Sequence, residues 1–318
     1  MGDLSGAVIF LTSSQEGILT VLVSLAAYFF ISNYPLTTSW LSDEEKSYIH
    51  ARLKADSDAT HDEKFNWGDV WLAVEDPKCW LYGLAFHTLS LPLYTLSLFL
   101  VGETSGAILE SGLTTVTQPT IIKAMGYTAA QSQLLTVPPY AIATILTVIW
   151  AVVSEKSGRR APFIIASSGI GILGYIILLA NPSPTKRPGV SYLGTFFAAA
   201  GIYPSTALAL SWPANNVSGQ TKRATANAMQ ISIGNLGAVL GTQLYRPNTS
   251  PKYVLGHSFA LGYLAMNIVV ISTLWYILAY ENRKKHLYLE QNPSTGSFHD
   301  ISEDGLKGDR HPRWRFNV

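Results

Sequence analysis

Three amide side chains lie close together in ATANAMQISIGNLGAVLGTQLY, a stretch that begins at Ala224. Asn227 and Gln230 share one face of a helix, and Asn235 lies about 80° from Gln230 at ~100° per residue. Amides offer both hydrogen-bond donors and acceptors, which suits a carboxylate or ureide substrate. Amides also join neighbouring helices in membrane bundles. The stretch is therefore a candidate substrate-binding face, with helix packing as the structural alternative.

Single polar residues in other apolar runs are further candidates. His87 is essentially the one ionisable residue inside such a run, and histidine titrates near neutral pH, so it is a candidate for proton coupling. The alternative is a neutral histidine that is hydrogen-bonded between helices. Tyr203, beside Pro204, and Tyr94 are candidate substrate-binding residues.

Other kinds of chemistry find no support in the sequence. It contains no nucleophile elbow, no phosphate-binding loop and no cluster of His, Asp and Glu at metal-ligand spacing. The single cysteine, Cys79, excludes an internal disulfide and argues against a cysteine metal site. The net charge of +1 gives no reason to expect a nucleic-acid partner. We therefore expect neither an enzyme nor a bound cofactor or metal.

The elements that would position these residues are apolar runs. The chain is 48% hydrophobic and only 14% charged, whereas soluble domains average about 25% charged. A membrane-spanning helix needs roughly 20 apolar residues. Seven such spans are predicted: Gly17–Ile31, Trp80–Leu100, Leu134–Val153, Pro162–Ala180, Val190–Leu210, Ala224–Tyr245 and Ser258–Tyr280. The fold class is therefore an all-α protein embedded in a lipid bilayer, and its sixth span is the least apolar.

The orientation follows from the lysines and arginines between the spans. They are most frequent in the long polar segment Ser32–Lys78, in the turn SEKSGRR and in the tail, which places all three in the cytoplasm. Within the long segment, Ser42 is followed three residues later by Glu45, which predicts a capping box at the start of a short helix.

The turn SEKSGRR joins the third and fourth predicted spans. A tight turn between helices favours glycine, and the neighbouring arginines can extend to helix-end carbonyls or acidic headgroups. A plain basic cytoplasmic loop is the alternative. The turn resembles the loop signature of the major facilitator superfamily, which lies between family helices 2 and 3 and recurs in weaker form between helices 8 and 9. The residues that carry this resemblance are Ser154, Glu155, Gly158, Arg159 and Arg160.

Longer stretches are similar to one branch of that superfamily. These stretches are EGILTVLVSLAAYFFISNYPLTTSWLSDEEKSYIHARLKAD, QSQLLTVPPYA and WPANNVSGQTKRATANAMQISIGNLGAVLGTQLY. They resemble the fungal anion:cation symporters related to allantoate permease. The resemblance implies import of small organic anions such as allantoate, nicotinate or pantothenate, generally with protons, by alternating access at the plasma membrane. It also implies that basic residues of the N-terminal half usually meet the substrate anion.

The same resemblance assigns the spans to family helices 6–12, hence a partial major facilitator fold. Residues 1–32 would hold the last helix of the N-terminal half, with the true start upstream, and 33–78 the central cytoplasmic loop. Residues 79–280 would form the C-terminal six-helix bundle, and 281–318 a cytoplasmic tail. We expect helices 1–5 to be encoded upstream, and we expect no transport by this chain alone. A stand-alone seven-helix receptor is the alternative.

An eighteen-residue stretch, 101–118, interrupts the family-like sequence between Leu100 and PTIIKAMGY. It begins with Val101, whose codons start with GT, and ends with Gln118, which CAG can encode. We interpret it as an unspliced in-frame intron, with a real extracellular loop as the alternative. Under the intron interpretation, Glu103 and Glu110 are not site candidates.

Overall fold

The computed structural model describes residues 18, 21–27, 38, 40–56, 65–100, 135–245, 252–292 and 308–318. Within these ranges, helix is the only regular secondary structure. The helices are α1 (Asp43–Asp56), α2 (Trp67–Glu75), α3 (Pro77–Leu100), α4 (Val137–Ser157), α5 (Ala161–Ala180), α6 (Pro188–Asn216), α7 (Gln220–Gly241) and α8 (Val254–Gln291), followed by a 3-10 turn at Gly308–Arg310. The stretch 101–118, interpreted above as a retained intron, lies outside the described residues, as does part of the first predicted span.

The predicted capping box opens α1, which belongs to the smaller of two compact units. The Glu45 amide donates to the Ser42 hydroxyl oxygen at 3.3 Å, and the Ser42 amide donates to the Glu45 carboxylate at 2.9 Å. Two backbone N–H groups at the helix start are thereby satisfied, as the sequence pattern requires. This prediction is confirmed.

The larger unit contains α2 and six long helices, α3 to α8, which coincide with the second to seventh predicted spans. Four of them, α4, α5, α6 and α8, are long and apolar enough to cross a membrane. Three helices continue past the C-terminal ends of their predicted spans: α4 ends at Ser157 rather than Val153, α6 at Asn216 rather than Leu210, and α8 at Gln291 rather than Tyr280. Hydropathy marks only the apolar part of a helix, so it misses polar turns that extend beyond it.

Helix α6 lies at the centre of the bundle and packs against α3, α4, α5 and α7. Of the 18-residue apolar stretch of α6, 67% is buried, compared with 17% for the corresponding stretch of α4. Small residues allow α5 and α6 to approach closely, since a methyl group at Gly201 would collide with the backbone of Gly171. Membrane helices associate through such small-residue contacts.

Helix α7 packs on α3 through Gly234, Gly237 and Gly241. A methyl group at Gly234 would overlap the Phe86 ring, and one at Gly237 would overlap the His87 carbonyl oxygen. The short distance between these two backbones determines what His87 can contact.

Candidate functional site

A cavity of about 430 Å³ opens between α3, α4 and α6. Its polar lining residues are Tyr140, Thr144, Thr147, Tyr203 and Thr206. Aliphatic side chains such as Leu93 and Leu210 complete the wall, and none of the described lining residues is charged. A cavity of this volume suits a small organic molecule. The described lining offers aromatic rings and hydroxyl groups, with no ion-pair partner for an anion.

The hydroxyl groups of this cavity have defined hydrogen bonds. Ser97 donates to the Leu93 carbonyl at 2.8 Å, so the Tyr203 hydroxyl donates to the Ser97 oxygen at 3.0 Å. Thr144 donates to the Tyr140 carbonyl at 2.9 Å, and Thr206 donates to the carbonyl four residues before it. Because these hydrogens are engaged within the protein, the oxygens face a ligand mainly as acceptors.

Two tyrosine rings give the cavity an aromatic wall. The rings of Tyr140 and Tyr203 meet edge to face, with centroids 5.5 Å apart. One ring comes from α4 and the other from α6, and both side chains are half-buried. This arrangement places the predicted site residue Tyr203 in a cavity wall.

Tyr94 and Asn235 contact each other, away from Tyr203. The Tyr94 hydroxyl donates to the Asn235 amide oxygen at 3.4 Å, which joins α3 to α7. Both side chains are exposed on the bundle surface. The structure thus brings two predicted site residues together, but it does not place them among the residues that line the cavity.

The two other predicted amides on α7 differ in their surroundings. Gln230 is buried and donates to the Ala209 carbonyl of α6 at 2.8 Å. This contact corresponds to the alternative of helix packing. Asn227 has a buried Oδ1 atom with no hydrogen-bond partner among the described residues. An unpartnered buried acceptor is unfavourable, so Asn227 keeps its interest as a functional candidate.

His87 forms the hydrogen bond that the glycines of α7 permit. Its Nδ1 atom lies 3.1 Å from the Ile233 carbonyl oxygen, and since a carbonyl only accepts, Nδ1 carries a proton. The ring also lies 5.8 Å from the ring of Tyr263 on α8. This interhelical hydrogen bond is the arrangement expected of the structural alternative. A role for His87 in proton coupling stays a prediction.

The turn between α4 and α5 contains the glycine that the sequence predicted. Gly158 adopts the left-handed conformation, with φ of 62°, and Ser154 donates to the Arg159 carbonyl at 2.9 Å. Arg159 is exposed, as expected of an arginine that extends toward headgroups. Arg160 departs from that expectation because it is buried, where it pairs with Glu155 at 3.0 Å and contacts Ser211 of α6.

Some residues of interest were missed from the sequence. Tyr140 follows the pair Pro138 and Pro139, which is the same kind of signal, an aromatic beside proline, that singled out Tyr203. Lys222 was not singled out from the sequence, yet it is buried in contact with two carboxylates. Its partners lie far away in the sequence, so no local pattern indicated the contact.

A helical bundle with apolar spans, and with a cavity whose described lining is uncharged and rich in hydroxyl groups, is compatible with a membrane transporter. Residues 90–290 match the family described as sugar (and other) transporters. The chain therefore belongs to this family, within the major facilitator superfamily. It is a multi-pass membrane protein, and its relatives are transporters rather than enzymes.

The individual relatives agree with this assignment. The chain is 29% identical to the "MFS-type transporter cnsO" of Penicillium expansum, over 91% of this chain and 55% of that protein. It is also 29% identical to the "High-affinity nicotinic acid transporter" of Saccharomyces cerevisiae, over 88% of this chain and 48% of that protein. The chain spans about half the length of the curated relatives it matches.

Proposed function

We propose that this bundle is one half of a proton-coupled transporter that imports small organic anions across the plasma membrane. The substrates would be carboxylates of the nicotinate, pantothenate or allantoate kind. Residues 33–78 would form the cytoplasmic loop between the two halves, and 281–318 the cytoplasmic tail. Transporters of this architecture rock two halves about a site near the bilayer midplane. Each half then supplies one wall of the substrate site.

The cavity between α3, α4 and α6 carries the proposal. Its wall contains the edge-to-face pair Tyr140 and Tyr203, which can receive the flat face of a planar ring. Threonine oxygens beside the rings can accept hydrogen bonds from ring or amide N–H groups. The relative named as a nicotinic acid transporter supports a substrate that combines an aromatic ring with a carboxylate.

The described cavity wall has no cation, which bears on how the anion is held. A carboxylate that leaves water needs a partner of opposite charge or several hydrogen-bond donors. We infer that the basic partner comes from the other half, while this half holds the uncharged part of the substrate. Proton entry would neutralise the charge moved across the membrane, which is the physical advantage of coupling anion import to protons.

Uptake of radiolabelled nicotinate, pantothenate and allantoate into yeast cells tests the proposal. Cells that express the protein encoded by the gene's complete mature message, called the full product, are compared with cells that express this chain alone. Uptake is measured at acidic and at neutral external pH. We expect saturable uptake of one of these anions from the full product, faster at acidic pH, and none from this chain alone. Saturable uptake by this chain alone would contradict the two-half arrangement, and uptake of neutral solutes only would contradict the substrate class.

A substitution in the cavity ties the activity to this site. In the full product, Tyr203→Phe removes the hydroxyl that donates to Ser97 and keeps the ring. We expect it to alter the KM for the transported anion several-fold. Tyr276→Phe is the matched control, because Tyr276 is exposed on α8 and lies outside the cavity lining. An unchanged KM in Tyr203→Phe would show that the substrate does not bind in this cavity.

A further inference from the structure

The segment 308–318 lies against one end of the six-helix bundle, the end that carries Arg160, Lys222 and Lys285, which we call the basic end. We call this segment the docked segment. Its residues Asp309, His311 and Phe316 are each less than 10% exposed. It forms no long helix of its own and contains only the 3-10 turn Gly308–Arg310. It is held in the manner of an extended peptide ligand.

Two asparagine side chains bind the docked segment through its backbone. Asn216 accepts from the Asn317 amide at 2.6 Å and donates to the Asn317 carbonyl at 2.9 Å. Asn282 forms the same pair of hydrogen bonds with Phe316, each at 2.9 Å. Trp212 adds a second donor to the Asn317 carbonyl, at 2.8 Å. Phe316 and Asn317 are therefore each hydrogen-bonded through both the backbone N–H group and the backbone carbonyl.

The Phe316 side chain is the apolar anchor of the docked segment. It is 4% exposed, and the Nζ atoms of Lys78 and Lys285 lie 5.0 and 4.1 Å from its ring centroid. A cation over an aromatic face is attracted to the ring, more strongly where water is excluded. Lys285 also donates to the Asp309 carbonyl at 2.6 Å. One lysine thus contacts both the start and the end of the segment.

Lys222 recognises the charge of the docked segment. Its Nζ lies 2.6 Å from Oδ2 of Asp309 and 3.1 Å from Oδ2 of Asp76. The three side chains are 7%, 6% and 9% exposed, respectively. Two buried carboxylates around one buried ammonium tolerate the loss of a charge poorly. A lysine at position 309 would place a second ammonium against Lys222 and would therefore be rejected.

We propose that the basic end is a peptide-binding site whose ligand is the docked segment of this same chain. The site selects an acidic residue at position 309 and an aromatic residue at 316, and it binds the backbone at 316 and 317. Its groups come from α3, α6, α7 and α8, so the bound segment joins the ends of four helices. Because α3 and α6 also line the cavity, docking restrains the helices that would move during transport; this consequence rests on the proposed function.

A cleavage experiment on the full chain tests the site directly. A protease site is placed between Gln291 and Gly308, the purified protein is cut in detergent, and gel filtration separates the bundle from any free fragment. We expect the cut segment to co-elute with the bundle in the wild type. The variant Asp309→Lys should lose the segment, whereas Arg310→Ala should keep it because Arg310 is exposed. Separation of the wild-type segment, or its retention in Asp309→Lys, would overturn the proposal.

Peptide competition covers the case in which Asp309→Lys fails to fold. The wild-type protein carries a fluorescent label at residue 310, is cut, and is then titrated with synthetic 308–318 peptides. The peptide of native sequence should displace the labelled fragment, and the Asp309→Lys peptide should compete on the order of 100-fold less well, since losing one partner of a buried pair is strongly unfavourable. The Arg310→Ala peptide should match the native one. Equal competition by all three peptides would contradict recognition of Asp309.

Discussion

The ammonium of Lys222 lies 2.6 Å from the carboxylate of Asp309, although the two residues are 87 positions apart in the sequence. The same ammonium contacts Asp76, which precedes α3. All three side chains are less than 10% exposed, so their attraction acts where water screens it weakly. This cluster joins the docked segment to the basic end of the bundle.

Removing the central charge of this cluster should destabilise the protein strongly. Lys222→Met keeps most of the side-chain volume but removes the ammonium from the buried Asp309 carboxylate and leaves Asp76 with only the more distant Lys78, at 3.8 Å. Breaking a buried ion pair in this way costs about 3–5 kcal/mol. We therefore expect a markedly lower midpoint of thermal unfolding in detergent. Unfolding is measured by the fluorescence of a thiol-reactive dye, which reacts with the buried Cys79 when the protein unfolds.

The matched control breaks a lysine–aspartate pair that is exposed to solvent rather than buried. Lys46 lies 3.4 Å from Asp43, whose side chain is fully exposed. Exposed pairs contribute little because water already solvates both charges. Lys46→Met should leave the midpoint almost unchanged. Equal effects of the two substitutions would mean that burial does not determine the strength of the Lys222 cluster.

The difference in unfolding midpoint between the wild type and Lys222→Met should not vary with pH between about 6 and 9. Burial by itself would lower the pKa of Lys222, but the charges and hydrogen bonds of Asp309 and Asp76 together raise it above its ordinary value. A raised folded-state pKa gives stabilisation that is complete below the unfolded pKa of ~10.5 and is lost only as the pH rises through the folded value. Unfolding midpoints of both proteins across this range provide the measurement. A difference that grows between pH 6 and 9 would show that the folded pKa of Lys222 is lowered instead, because the unfolded chain would then bind more protons than the folded one in that range.

The turn between α4 and α5 allows a clean test of backbone strain. Gly158 has φ of 62°, and a methyl group there would meet no atom within 4 Å. Gly158→Ala should therefore destabilise through the left-handed conformation alone, by about 1–2 kcal/mol. Gly189→Ala is the control, because Gly189 is equally open but lies in the first turn of α6 without a positive φ. If Gly189→Ala destabilises as much as Gly158→Ala, the strain explanation is wrong.

Much of the bundle follows from local features of the sequence. Runs of about twenty apolar residues locate α3 to α8 because the lipid core imposes that length. Gly158 was predicted at its turn because few other residues adopt a positive φ readily. The ends of α6 and α8 were missed, since Asn216 and Gln291 lie in polar turns that hydropathy does not detect.

The site was predicted less completely, for a different reason. Tyr203 was singled out because it adjoins a proline, but its partner Ser97 lies on another helix, 106 residues away. The contact of Tyr94 with Asn235 spans 141 residues. Pairings of this kind depend on how helices pack, and helix packing depends on small residues such as Gly237 whose partner surface is not encoded nearby.

An apolar substitution should change the stability of the protein differently at two polar residues of α7. Gln230 donates to the Ala209 carbonyl from a buried position, so Gln230→Leu should lower stability by about 1 kcal/mol. The buried Oδ1 of Asn227 has no partner among the described residues, so Asn227→Leu should leave stability unchanged or raise it. Thermal unfolding of both variants measures this. If Asn227→Leu is stable yet reduces anion uptake by the full product, Asn227 lines the substrate path; if it is the less stable of the two, Asn227 has a structural partner instead.

Replacing His87 separates its two possible roles. Gln offers an N–H donor that can replace the hydrogen bond from His87 to the Ile233 carbonyl, but it does not titrate. If His87 carries the coupling proton, the full product with His87→Gln should keep its expression and thermal stability, while uptake loses its acceleration at acidic pH. His286→Gln is the control, since His286 is exposed near the end of α8 and pairs with Glu290. Unaltered pH dependence in His87→Gln would assign His87 to helix packing alone, because the amide then supplies everything the imidazole does.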